Sequence, residues 1–324
     1  MTTPLDERLR DVDVVHLTFG PPYAQGSYSS LVGALLECSA GPRQGAISYW
    51  DGPVPTTGVG LDQTVIVGKH GGRSLGSLGI RLPERVRRHL FAGIGSRERI
   101  RYALEVRTLL AEARPRLVVV WDDYKLGTLL RHSLGDSCTL VLSQHGRSYH
   151  LAPDEARRLY SLASFDAVVT LSKASYQMER AGLYAYESLL FVRPNAVDPD
   201  RFAPTSDQKR IEARVRWGLP TDASVVLTLS RLTPAKGVHL LLHSWVRVLE
   251  RVPNAYLWIV GEGHASYTEP LSRMVTNLGL GDHVRFQGGV DRGQVSDCHA
   301  AADLYVLPTL ADEGHPLSLL EAMS

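Results

Sequence analysis

Short apolar runs alternate with amphipathic stretches along most of the chain. The apolar runs have the length and β-branched content of buried strands, and the stretches between them have the periodicity of helices. Strands that alternate with helices predict a parallel, doubly wound sheet. In the first half we predict strands over Val12–Phe19, Ala46–Asp51, Thr64–Lys69, Leu117–Trp121, Thr139–Ser143, Ala167–Leu171 and Ser188–Val192, and helices over Tyr28–Cys38, Ser96–Arg114, Tyr124–Leu134, Pro153–Leu162 and Lys173–Gly182.

The same rhythm starts again after a charged helix that we predict over Asp207–Gly218. The chain is therefore expected to form two Rossmann-like domains, over residues 1–195 and 223–324, joined by a hinge over residues 196–222. In the second domain we predict strands over Val225–Leu229, Tyr256–Val260, Val284–Gln287 and Leu304–Leu310, and helices over Val238–Arg251, Tyr267–Leu278, Asp297–Ala302 and His315–Met323.

Composition narrows the classes of protein that fit. An apolar fraction of 44% over 324 residues supports packed cores, and a formal net charge of +1 gives no indication of nucleic-acid binding. Cys38, Cys138 and Cys298 are far apart and lack metal-ligand spacing, which fits a reducing compartment. The polar start of the chain resembles no signal peptide, and no apolar run is long enough to span a bilayer. These features predict a cytoplasmic protein.

Candidate chemistry is concentrated after two of the predicted strands. Glu313 and Glu321 flank the start of the last helix, and a carboxylate accepts hydrogen bonds from hydroxyl-rich groups such as ribose and sugar rings. Arg231 follows the strand Val225–Leu229, and Lys236 is predicted at a helix N-terminus. A lysine there opposes the helix dipole at a cost of about 0.3–1 kcal/mol unless an anion compensates it, which favours diphosphate binding. Phosphate and hydroxyl groups together indicate a nucleotide sugar.

The stretch from Glu313 to Glu321 resembles the glutamate-pair motif of glycosyltransferase family 4, a retaining family with the GT-B fold. The resemblance implies an α/β protein with two Rossmann-like domains facing a cleft. It implies hexosyl transfer from a nucleotide-diphosphate sugar to an acceptor hydroxyl, with retention, without a metal and with no cofactor besides that co-substrate. Because the sequence ends at Ser324, inside the motif helix, the second domain is expected to be incomplete.

The resemblance also implies roles for individual residues. Glu313 would bond the sugar, Glu321 the ribose, and Arg231 with Lys236 the diphosphate. Catalytic roles fall to Glu313 and to His145, which follows the strand Thr139–Ser143 and would lie near the sugar and the acceptor. The remaining predicted donor-binding residues are Gly26, Val290, Gly314, His315, Pro316 and Leu317.

Several alternatives stay open at the level of sequence. A nucleotide-sugar epimerase or hydrolase would share the phosphate site, and a non-catalytic module would bind nucleotide without turnover. The acceptor is not specified: it is a sugar, a lipid-linked glycan or a small molecule. Peripheral membrane contact also stays open. Asn195 and Asp198 are expected to fix turns in the hinge by bonding nearby backbone.

Overall fold

A computed structural model of the chain describes residues 7–19, 31–33, 35–36, 41–49, 63–67, 97–145, 162–182, 184–311 and 313–324. The chain divides into two compact units, Met1–Pro194 and Asn195–Ser324, and each is described by itself. The residues predicted as a hinge, 196–222, belong to the second unit. Residues 20–30, which include the predicted donor-binding residue Gly26, and almost all of the predicted helix Pro153–Leu162 lie outside the described residues.

The first unit is built on a parallel sheet of seven strands in the order β3-β2-β1-β4-β5-β6-β7. Parallel strands need covered faces. A large apolar cluster that includes Val15, Val118 and Leu142 and a smaller one around Trp121 form the core of this unit. Its strands are β1 (Val14–Phe19), β2 (Gln44–Tyr49), β3 (Thr64–Val67), β4 (Leu117–Trp121), β5 (Thr139–Gln144), β6 (Ala167–Thr170) and β7 (Leu190–Val192). Three helices lie wholly within its described residues and have at least seven residues: α1 (Arg97–Ala113), α2 (Tyr124–Leu134) and α3 (Lys173–Gly182). Residues 31–33 and 35–36, inside the predicted helix Tyr28–Cys38, are also helical.

The second unit contains a parallel sheet of four strands in the order β10-β9-β8-β11. Its strands are β8 (Ser224–Leu229), β9 (Ala255–Val260), β10 (Val284–Gly288) and β11 (Leu304–Tyr305). Its helices are α4 (Asp207–Trp217), α5 (Val238–Arg251), α6 (Ala265–Asn277), α7 (Val295–Ala301) and α8 (Leu317–Met323). In the described part of the chain, no helix has both the length and the apolar character that crossing a bilayer requires.

The core of the second unit has one layer on each face of its sheet. Val226 and Ile259 pack with apolar side chains of α5 and α6. Val225 and Leu227, whose side chains alternate with that of Val226 along β8, pack with α4 and α7. The predicted αβ alternation is thereby confirmed, because helices cover both faces of a parallel sheet.

The two sheets share a topology that fixes where a ligand can bind. In each, the first strand of the unit lies between its second and fourth strands, so the chain changes direction across the sheet beside the first strand. Ligands of open α/β sheets bind in the crevice at the carboxyl ends of the strands at this switch point. In the second unit the switch point lies between β8 and β11, which pair in parallel through Leu304–Val226 and Tyr305–Leu227.

Several predicted elements have other bounds in the structure. The strand expected over Leu304–Leu310 pairs only at its first two residues, because Pro308 lacks an N–H and the Leu310 N–H donates to the Ala235 carbonyl instead of a strand. The helix expected from His315 begins at Leu317, with Pro316 as its N-cap in extended conformation. The residues before β7 form a 3-10 turn, Tyr184–Leu189, where Ser188 and Leu189 were expected in the strand.

Candidate functional site at the β8–β11 switch point

The loop after β8 is held tightly against the segment after β11. The Ala235 carbonyl accepts hydrogen bonds from the backbone N–H groups of Leu310 (2.8 Å) and Ala311 (3.2 Å). Gly237 has φ +69°, and a Cβ placed on it would lie 2.0 Å from the Pro308 carbonyl oxygen. Only glycine fits there, since both the left-handed backbone and the close approach exclude a side chain. The two loops at the switch point therefore have a fixed separation.

This packing brings Lys236 and Glu313 together. The Lys236 Nζ lies 2.5 Å from Glu313 Oε1, and the side chains are only 19% and 22% exposed. Thr309 donates its hydroxyl to the same carboxylate oxygen at 2.8 Å. Glu313 Oε2 makes no hydrogen bond with a described residue, so one oxygen of the carboxylate remains available as an acceptor.

The structure also changes one step of the sequence argument. Lys236 lies in a 3-10 turn, Pro234–Lys236, and Gly237 caps α5. An anion does compensate the lysine near this helix start, but the anion is the carboxylate of Glu313. The misfit of a lysine at this position is thus no independent indication of a diphosphate. The adjacency of a cation and a carboxylate at a switch point is the observation that remains.

The other predicted donor-binding residues of the second unit lie on three loops. Arg231 is exposed on the β8 loop, with no ion pair to a described residue. Val290 follows β10, and its side chain packs partly against the core cluster that includes Cys298. Gly314, His315 and Pro316 are half-buried between Glu313 and α8, and Leu317 is buried at the first position of that helix. No group of three or more potential metal-ligating side chains occurs within the described ranges.

Glu321 lies on α8 and faces His299 of α7. Its Oε2 is 3.6 Å from His299 Nε2, and the two side chains are 16% and 11% exposed. The hydroxyl of Tyr305, at the end of β11, donates to Ser318 Oγ of α8 at 2.7 Å. Burial raises the pKa of Tyr305 to about 12, with smaller contributions from the nearby Glu321 and Glu313 charges, so this phenol stays protonated as a donor.

Asn195 has a role that its sequence did not indicate. Instead of bonding nearby backbone, its N–H donates to His315 Nδ1 (3.0 Å) and its side-chain amide donates to the His315 carbonyl (2.7 Å). These bonds join positions 120 residues apart and anchor the segment between Glu313 and α8. Asp198 does behave as expected, because its Oδ1 accepts from the backbone N–H groups of Asp200 and Arg201. No local sequence signal distinguishes the two residues.

In the first unit, His145 follows β5. Burial lowers its pKa to about 4, and its Nδ1 is buried without a hydrogen-bond partner among the described residues. Its ring packs against Trp121 with centroids 4.8 Å apart, and its backbone N–H donates to Asp122 Oδ1 at 2.5 Å. The imidazole is therefore neutral near pH 7 and has an acceptor or donor atom to offer. Gly26, the remaining predicted donor-binding residue, lies outside the described residues.

Trp121 is in turn oriented by a buried histidine. Its indole N–H donates to His16 Nδ1 at 3.1 Å, so the proton of the His16 ring is on Nε2, which donates to Gln44 Oε1 at 2.8 Å. Burial lowers the pKa of His16, which keeps it neutral. Trp121, which packs on His145, is thus fixed by a pair of side chains from β1 and β2.

Comparisons with known proteins indicate a family for part of the chain. Residues 209–324 match the family described as Glycosyl transferases group 1. The chain is 35% identical over 185 residues to the GDP-mannose-dependent alpha-(1-6)-phosphatidylinositol monomannoside mannosyltransferase of Mycolicibacterium smegmatis, covering 56% of this chain and 47% of that protein. It is also 35% identical over 137 residues to the mannosylfructose-phosphate synthase of Agrobacterium fabrum, covering 40% and 30% of the two chains. The chain spans about half the length of the first curated relatives that it matches.

A solved structure, that of Anabaena HepE in complex with UDP and glucose, superposes with a TM-score of 0.70 at 20% identity, covering 96% of this chain and 78% of the other. At that identity the likeness shows the fold, and the fold is the predicted one of two Rossmann-like units. Residues 209–324 are thus similar to the group 1 glycosyl transferases, and the fold of the chain is the GT-B fold of its structural neighbours.

Proposed function

We propose that the second unit holds the nucleotide-diphosphate sugar of a retaining glycosyltransferase, and that the protein transfers a hexosyl group to an acceptor hydroxyl. The observation that carries the proposal is the Lys236–Glu313 pair at the β8–β11 switch point. In a sugar nucleotide the diphosphate and the sugar are covalent neighbours. A site that binds both needs a cation and a carboxylate side by side, which is the arrangement of these two residues.

The hydrogen-bonding capacity of the pair supports this use. The ammonium group of Lys236 has three donors and gives one to Glu313, so two remain for phosphate oxygens. Glu313 retains Oε2 for a sugar hydroxyl. Arg231, on the same loop, adds a planar fork of donors suited to a second phosphate oxygen. The ligand can thus bond to both residues while the hydrogen bond between Lys236 and Glu313 remains in place.

The proposed reaction breaks the bond between the anomeric carbon and the phosphate oxygen. Negative charge grows on the departing diphosphate, and Lys236 and Arg231 stabilise it in the transition state without a metal. The acceptor oxygen bonds to the anomeric carbon on the face that the phosphate leaves, and the acceptor proton passes to the leaving phosphate. Configuration is retained, and His145, neutral and buried, is the proposed contact for the sugar and acceptor.

The relatives support a first choice of donor and acceptor. The Mycolicibacterium protein is described as GDP-mannose-dependent and acts on phosphatidylinositol monomannoside, while the Agrobacterium relative makes a mannosylated product. We therefore propose GDP-mannose as the first donor to examine and a lipid-linked glycan as the first acceptor, which would bring the protein to a membrane surface.

Titration calorimetry with GDP-mannose, GDP, UDP-glucose and UDP tests the donor site. We expect saturable binding of at least one nucleotide, with equal affinity in EDTA and in Mg²⁺. A mannosyl product formed only when the lipid acceptor is added distinguishes transfer from hydrolysis or epimerisation, which need no acceptor. Absence of binding for all four ligands would overturn the proposal.

A further inference from the structure

We propose that His299 is a positioning residue for the ribose of the donor nucleotide, acting through the carboxylate of Glu321. The inference rests on the proposed function, in which Glu321 bonds the ribose hydroxyls. It adds a residue of α7 that does not itself contact the ligand. The role of His299 is to hold Glu321 Oε2, so that Oε1 faces the ribose.

The two side chains face each other in a nearly closed environment. His299 Nε2 is 3.6 Å from Glu321 Oε2, just beyond hydrogen-bond distance, and both groups are mostly buried. His299 Nε2 is also buried with no hydrogen-bond partner in the described part of the chain. Buried polar atoms of native proteins nearly always have a partner, so an orphan atom that faces a carboxylate needs an explanation. A small inward shift of Glu321 on ligand binding would provide its partner.

The imidazole ring is fixed from two sides, which suits a positioning role. Tyr305 packs on it with ring centroids 5.4 Å apart, and Phe202 meets it edge-on at 5.9 Å. The Tyr305 hydroxyl bonds Ser318, which lies one helical turn before Glu321 on α8. The same aromatic group thereby restrains both the histidine ring and the helix that carries the carboxylate.

Hydrogen-bond capacity explains what this achieves. A carboxylate has two oxygens, and the vicinal diol of ribose provides two donors. Without a fixed donor on Oε2, the carboxylate of Glu321 can rotate away from the diol. With His299 Nε2–H on Oε2, the plane of the carboxylate is set and Oε1, which has no hydrogen bond to a described residue, is directed to the ligand. The fixed carboxylate raises the affinity for a ribonucleotide, and it does not raise the affinity for a ligand that lacks the ribose hydroxyls.

The test is calorimetry on the whole chain with GDP or UDP, whichever the wild type binds, and with the corresponding 2′,3′-dideoxynucleoside diphosphate. His299→Phe retains an aromatic ring between Tyr305 and Phe202 but removes the donor. We expect it to weaken ribonucleotide binding about five- to tenfold and to leave dideoxynucleotide binding unchanged, as loss of one hydrogen bond of ordinary strength predicts. His299→Gln, which retains an N–H donor, is expected to recover most of the loss.

The remaining outcomes contradict either the inference about His299 or the proposed function as a whole. Equal losses for both ligands in His299→Phe would show a merely structural role and overturn the inference, while the donor site would stand. Unchanged ribonucleotide affinity in His299→Phe would also overturn the inference and leave the donor site standing. If His299→Phe fails to fold, His299→Leu takes its place in the comparison. If the wild type binds neither GDP nor UDP, the proposed function fails and the inference fails with it.

Discussion

Lys236 and Glu313 are 77 positions apart in the sequence, yet their charged groups lie 2.5 Å apart. Lys236 is on the segment that follows β8, and Glu313 is on the segment that follows the neighbouring strand β11. Both side chains are mostly but not fully buried. The pair therefore differs from a fully exposed ion pair, which contributes only about 0–1 kcal/mol to stability. The pair can hold the donor site in shape before a ligand arrives. A ligand then meets a preorganised cation and carboxylate.

We predict that Lys236→Ala lowers nucleotide diphosphate affinity at least about tenfold, because a charge-assisted hydrogen bond to phosphate is lost and Glu313 is left to repel the anion. Calorimetry measures the change. The matched control is Lys209→Ala, which removes an exposed lysine of α4 in the same unit and should leave the affinity unaltered. Equal effects of the two substitutions would show that Lys236 affects affinity only through the net charge of the protein and not through contact with the phosphate.

A second prediction concerns the backbone that sets this distance. Gly237→Ala must adopt a left-handed conformation and also displace the Pro308 carbonyl, so we expect it to destabilise the second unit by more than about 2 kcal/mol and to weaken nucleotide binding. Gly279→Ala is the control, because Gly279 has nearly the same φ (+66°) but nothing within 4 Å of its Cβ position. Thermal unfolding of both variants separates backbone strain, which they share, from the clash, which they do not. Equal shifts would show that the clash is relieved at no cost.

The sequence predicted the elements far better than the contacts between them. Periodicity is local, so Leu117–Trp121, Tyr124–Leu134, Lys173–Gly182 and Val238–Arg251 appear with the bounds expected from their patterns. Ser172 caps α3 and accepts from the Ser175 N–H at 3.0 Å, which is the kind of local bond that a sequence can indicate. The strand expected over Leu304–Leu310 was overextended, because an apolar run carries no information about whether a partner strand continues beside it.

In the candidate site, too, the sequence predicted individual residues better than the contacts between them. The positions of Glu313 and Lys236 after strands could be predicted one residue at a time, and their roles remain predictions. Their direct contact could not, since it depends on a turn at Gly237 and on loop packing over long separation. Asn195 and His315 illustrate this best: their bonds span 120 residues, and a hinge asparagine looks like any other turn residue in the sequence. His299 was assigned no role for a similar reason, because its partner Glu321 lies on another helix.

A third prediction tests an internal ion pair that ties α4 to the sheet. The guanidinium of Arg214 is 2.5 Å from Asp303 Oδ2, which also accepts the Val225 N–H at 2.7 Å, at the start of β8. Arg214→Met should lower the free energy of unfolding of the second unit by about 2–4 kcal/mol, because the buried guanidinium donates to Asp303 and to the Ala301, Thr221 and Ala223 carbonyls, and all of these bonds are lost. Arg216→Met is the control: its pair with Asp297 is half-exposed at 3.4 Å and should contribute less than about 1 kcal/mol. Comparable losses in urea unfolding would contradict the argument.

The last prediction follows from His145, whose pKa burial lowers from 6.5 to about 4. Because the unfolded chain binds a proton at this residue below about pH 6.5 and the folded chain does so only near pH 4, the stability of the first unit must fall as the pH falls between these values. The loss attributable to His145 reaches about 3 kcal/mol at pH 4 and is absent above pH 7. His145→Gln should remove that part of the pH dependence while retaining the part due to His16, whose pKa is also lowered by burial. Urea unfolding of both proteins across this range, followed by tryptophan fluorescence, measures the difference. If the two curves run parallel from pH 7 to pH 4, His145 titrates normally and its buried, neutral state in the proposed site is wrong.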